Sequence, residues 1–133
     1  MVTIAQYMTS HPFTIGHDIK LSVAHEMMQQ HRVRHLPVLN AGNLVGVLSQ
    51  RDLYFLETFK DVRLSEVAVE EAMSGDPYVV DSKTPLAEVA REMIRRKLGT
   101  ALVAEHGRVI GIFTALDGLR ALADQESRGA TAA

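Results

Sequence analysis

Apolar positions along this chain follow two rhythms in turn. Leu21, Ala24, Met27 and Met28 recur at the spacing of one helical face, and Asp18 stands before them as a candidate cap. That helix is expected to end near His31-Arg32. His35-Leu36-Pro37-Val38-Leu39 and Leu44-Val45-Gly46-Val47-Leu48 are apolar runs of strand length. Between them lies Asn40-Ala41-Gly42-Asn43, where asparagine and glycine tolerate positive φ, so the two runs predict a hairpin. Ser49 then opens a helix through Leu53 and Leu56 toward Phe59. Upstream, Phe13-Thr14-Ile15 is a short β-prone run. His11-Pro12 separates it from a lead-in turn or helix over residues 4–8, because the residue before a proline is pushed out of the helical region.

The pattern then begins again. Tyr78-Val79-Val80 predicts a strand, and Leu86, Val89, Ala90, Met93 and Ile94 line a helix. Residues 101–104 and 109–113 form a hairpin around Glu105-His106-Gly107-Arg108, and Thr114 opens a last helix through Leu119 and Leu122. With a shift of 65 residues and no gap, Val2, Met8, Pro12, Leu21, Met28, Val38, Gly42, Gly46 and Asp52 fall on Val67, Met73, Pro77, Leu86, Met93, Val103, Gly107, Gly111 and Asp117. Two copies of one β-α-β-β-α unit therefore span nearly the whole chain. Their expected limits are 1–60 and 69–123, with a connection at 61–68 and a small, polar, flexible tail at 124–133. The expected fold class is α+β: two tandem units packed sheet to sheet about a pseudo-twofold axis, sharing one core, with clefts between them.

Composition narrows the function. The chain has 133 residues, 47% hydrophobic, and a net charge of −2, so bulk electrostatics favour neither nucleic acid nor an anionic membrane as partner. It has no cysteine, and no apolar run approaches the ~20 residues that cross a bilayer. The N-terminus lacks the charged start and apolar stretch of a signal peptide, which makes a cytoplasmic protein the expectation. No nucleophile elbow or glycine-rich phosphate loop is present, so no enzyme is expected. His31 and His35 lie four apart, but Pro37 argues against one helix presenting both, and no metal site is expected. The methionines read as filler for core and interfaces.

Each repeat ends in one polar signature: Ser49-x-x-Asp52 and Thr114-x-x-Asp117, both directly after a glycine-containing strand. Two uses fit it. A hydroxyl followed three residues later by an acid is a common helix opening. A carboxylate also accepts from both hydroxyls of a ribose, and the start of a helix offers free N–H groups to a phosphate.

Leu36-Pro37-Val38, the turn glycine Gly42, Leu44-Val45-Gly46-Val47 and Ser49-Gln50-Arg51-Asp52, in this order and repeated, resemble the CBS domain. The whole chain is similar to a CBS pair, or Bateman module. The resemblance implies a regulatory module that binds an adenosine nucleotide (AMP, ADP, ATP or S-adenosylmethionine) in the cleft between the repeats, with no other cofactor. It implies Asp52 and Asp117 at the ribose; Ser49, Thr114, Arg51, Arg34 and His35 toward the phosphates; and Thr14, Ile15 and Val80 against the adenine. Binding would pass through a conformational or assembly change to a regulated protein that the sequence does not identify.

The second repeat departs from this pattern. Gly99-Thr100 replaces Arg34-His35, and Leu116 stands in place of Arg51. One good site around Asp52 is therefore expected, with a weak, empty or differently selective one around Asp117. The apolar positions of 53–59 and 119–122 exceed what a small core needs and point to a homodimer. The competing reading is a dimeric scaffold that binds no nucleotide and uses both acids only as caps.

Overall fold

The computed structural model describes residues 1–132, with the side chains of residues 1–129. Its strands are β1 (Thr9–Ser10), β2 (Ile15–Gly16), β3 (His35–Asn40), β4 (Asn43–Ser49), β5 (Val79–Val80), β6 (Thr100–Glu105) and β7 (Arg108–Thr114). Its α-helices are α1 (Leu21–His31), α2 (Gln50–Glu57), α3 (Leu86–Arg96) and α4 (Ala115–Ala132), with 3-10 turns at Ile4–Gln6, Leu64–Glu66 and Val69–Glu71. The result is a mixed α+β chain with two sheets.

Two compact units divide it: Pro12–Pro77, and Met1–His11 together with Tyr78–Ala133. Within Pro12–Pro77, β2 runs parallel to β3, and β3 pairs antiparallel with β4 from His35–Ser49 to Asn40–Asn43. Helix α1 places Leu21, Ala24 and Met28 in the core, on one face. They pack with Ile15, Leu36, Val38, Leu48, Leu53 and Val69. The other unit repeats the plan, with β5 parallel to β6 and β6 antiparallel to β7. Its core joins Val89, Met93, Ala101, Val103, Phe113 and Ala121 to Ile4 and Tyr7.

The expected single shared core is thus replaced by two. Each is completed by the segment that precedes the other repeat in sequence. The Leu21 N–H donates to Val67 O (2.8 Å), and the Leu86 N–H donates to Val2 O (3.0 Å). At the sheet edge, β1 pairs antiparallel with β7 through Thr9–Ile112, and Ser74 bridges Val47 at the matching place in the other unit. Two glycines make room for these segments. A Cβ on Gly46 would lie 2.6 Å from both Met73 Sδ and Ser74 O, and one on Gly111 would overlap Met8 Sδ.

Three further local expectations change. Lys20, not Asp18, occupies the N-cap of α1, without a side-chain hydrogen bond. In the hairpins, Ala41 and His106 take positive φ beside Gly42 and Gly107, so Asn40 and Asn43 are strand ends rather than turn residues. The segment from Asp124, expected as a flexible tail, continues α4 to Ala132.

Candidate nucleotide site

The junction of β4 and α2 follows from its sequence. Ser49 sits in extended backbone as the N-cap, and its Oγ accepts from the Asp52 N–H at 3.1 Å. Asp52 Oδ2 accepts from the Ser49 N–H at 2.8 Å. Two orphan donors of the first turn are satisfied reciprocally, so the cap reading holds for this pair. It leaves Asp52 Oδ1 without a protein partner among the described residues.

The loop between α1 and β3 comes to the same place. The Gln50 N–H donates to Arg34 O at 2.8 Å, and His35 lies opposite Ser49 in the β3–β4 register. His35 is half-buried. Burial holds its imidazole below the ordinary histidine value; Asp52 opposes this, and Arg34 and Arg51 add to it. The structure therefore gathers Arg34, His35, Ser49, Arg51 and Asp52 within one unit. Arg34 and Arg51 are exposed and form no ion pair among the described residues.

Ile15 belongs to the core and pairs with Val38, and Thr14 beside it is half-buried. Val80 pairs with Val103 and packs against the core of the other unit.

The second signature is built differently. The Thr114 N–H and Oγ1 both donate to Asp117 Oδ2, at 2.8 and 3.2 Å. Arg120 Nη2 then donates to Asp117 Oδ1 at 2.6 Å and to Tyr7 O at 3.3 Å. Tyr7 Oη donates to Asp124 Oδ2 at 3.1 Å. Asp117 is 6% exposed, with both carboxylate oxygens engaged. An i, i+3 acid–arginine spacing was the available sequence signal for Arg120. At the repeat-equivalent positions of Tyr7, Arg120 and Asp124 the unit 12–77 has Ala72, Phe55 and Phe59, so this network has no counterpart there.

Another repeated device escaped the sequence reading. The Phe13 ring stacks on His31 with centroids 3.7 Å apart, and at the matching positions Arg96 lies 5.3 Å from the Tyr78 ring centroid. Among the described residues, no group of three or more His, Cys, Asp or Glu could hold a metal ion. No described helix is long and apolar enough to cross a membrane.

The CBS domain model matches residues 4–56 and again residues 69–124. The chain belongs to the CBS domain family. It is 31% identical over 127 residues to a CBS domain-containing protein of Dictyostelium discoideum, covering 87% of this chain and 88% of that protein. It is 30% identical over 105 residues to the inosine-5'-monophosphate dehydrogenase of Korarchaeum cryptofilum; the match takes in 78% of this chain but only 21% of the dehydrogenase. Among solved structures it is similar to CBSX2 in complex with AMP: TM-score 0.83, 26% identity, 93% of this chain and 98% of that one. Within this CBS pair, the first repeat offers a carboxylate oxygen beside three basic side chains, and the second has closed its acid with an arginine.

Proposed function

We propose that this CBS pair is a regulatory module whose first repeat binds an adenosine nucleotide. Asp52 Oδ1 takes the ribose hydroxyls, and Ser49, Arg34, His35 and Arg51 face the phosphate. The observation that carries the reading is the unpartnered Asp52 oxygen next to His35, Arg34 and Arg51. A carboxylate suits two neighbouring hydroxyls, and an arginine can hold a phosphate with two parallel hydrogen bonds. The bound AMP of CBSX2 supports the ligand class. The module acts on its regulated partner to the extent that the ligand binds two arrangements of the chain or its assembly unequally.

Thermal shift with AMP, ADP, ATP and S-adenosylmethionine tests the reading. A ligand at 100 times its Kd adds about 2.7 kcal/mol to stability. Asp52→Ala should abolish that response. No shift with any of the four would favour the scaffold, in which Asp52 serves only as a cap.

A further inference from the structure

We propose that His35 couples nucleotide binding to proton uptake, and that this coupling selects an adenosine 5′-phosphate over an S-adenosyl sulfonium. The inference rests on the nucleotide reading and adds to it a ligand charge and a pH response.

The geometry supplies a compact charge cluster. His35 opens β3 opposite Ser49 of β4, its neighbour Arg34 is tied through its carbonyl to the first turn of α2, and Arg51 and Asp52 belong to that turn. The charged groups that act on the imidazole are Asp52 and Arg51 from α2 and Arg34 from its own loop. With His35 neutral, the charged groups that act on it are two guanidinium groups and one carboxylate, which leaves one excess positive charge. Burial and the two arginines both resist a further proton on the imidazole, and Asp52 alone favours it.

A phosphate dianion entering this cluster reverses the balance. It brings two negative charges to a place with one excess positive, and a protonated imidazole then gains a hydrogen-bonding anion. The proton comes from solvent and resides on the ring while the ligand is bound. By linkage, affinity rises as pH falls through the raised titration of the bound state and levels off below that of the free state. Each pKa unit by which the ligand raises His35 is worth about tenfold in affinity on the acid side. A sulfonium adds positive charge beside two arginines, so it opposes protonation and draws no such gain.

The test follows the histidine ring resonances by NMR from about pH 5 to about pH 8, free and saturated with AMP. Calorimetric titrations of AMP and S-adenosylmethionine into wild type and His35→Gln run alongside. The phosphate of free AMP titrates near pH 6 identically for both proteins, so the wild-type-minus-variant difference reports the coupled titration of His35 with the bound phosphate. The expected results are a His35 midpoint that rises on saturation, a wild-type affinity for AMP that gains on the variant's as pH falls, and no such gain for S-adenosylmethionine. The wild-type NMR titration stands whether or not the variant folds. AMP binding with an unmoved His35 midpoint, or with equal pH slopes in the two proteins, overturns this inference and leaves the nucleotide reading intact. S-adenosylmethionine binding without AMP binding overturns this inference alone, and wild type that binds none of AMP, ADP, ATP and S-adenosylmethionine at any pH overturns both.

Discussion

Arg120 holds Asp117 at 2.6 Å from three residues further along the same helix, while the corresponding residue after Asp52 is Phe55. Two acids at equivalent places in a repeat have thus been given different work. One is locked into its own protein, and the other keeps an oxygen available.

Substituting each acid separates those roles. Asp52→Ala removes a helix cap, with an expected loss of about 1 kcal/mol. Asp117→Ala removes a cap and also strips Arg120 of its buried partner, so its loss should be larger. Nucleotide affinity should move the other way: abolished in Asp52→Ala and unchanged in Asp117→Ala. Urea denaturation and calorimetry on the two variants check both halves. A greater stability loss for Asp52→Ala would contradict the structural assignment of Arg120.

The strand glycines give a second asymmetric pair. Gly46→Ala drives its methyl against the carbonyl of Ser74, which is backbone and cannot swing aside. Overpacking of that kind costs about 1–3 kcal/mol. For Gly111→Ala the three nearest atoms all belong to the side chain of Met8, a flexible thioether that can turn away. The first variant should therefore unfold at distinctly lower urea than the second. Equal losses would mean that Ser74 yields as readily as a methionine does.

Leu53 is core, yet Tyr54 and Phe55 on the same helix and Phe59 just beyond it are substantially exposed, Phe55 at 62%. Leu116, Leu119 and Leu122 form a comparable exposed row on α4. Such surface is characteristic of an interface, so light scattering at micromolar concentration should give a dimer. Phe55→Lys should shift that equilibrium to monomer while leaving monomer stability near wild type. A wild-type monomer would remove the assembly arm of the proposed mechanism.

Much of this arrangement was legible in the sequence because its signals are local. Alternating apolar runs around Gly42 and Gly107 gave both hairpins, and the hydroxyl–acid spacing gave both helix openings. The nonlocal features were harder to read. β1 is two residues long, too short for any period to register, so nothing marked residues 1–11 as belonging with the second repeat. The helix around Arg120 was expected, but periodicity does not say which acid an exposed arginine will choose. Asp18 had the right chemistry for a cap, and the chain placed Lys20 there instead, with Leu21 donating to Val67 O.

Because each core is finished by residues borrowed from the opposite half of the sequence, the duplicated stretch is not the folding unit. A lone 69–133 fragment would lack Ile4 and Tyr7, and its own 69–73 stretch would have nothing to complete. The compact unit is 12–77, which straddles the repeat boundary. Cutting the chain between the repeats would therefore sever each core from the residues that complete it, whereas a cut near residues 77–78 would spare the core of 12–77.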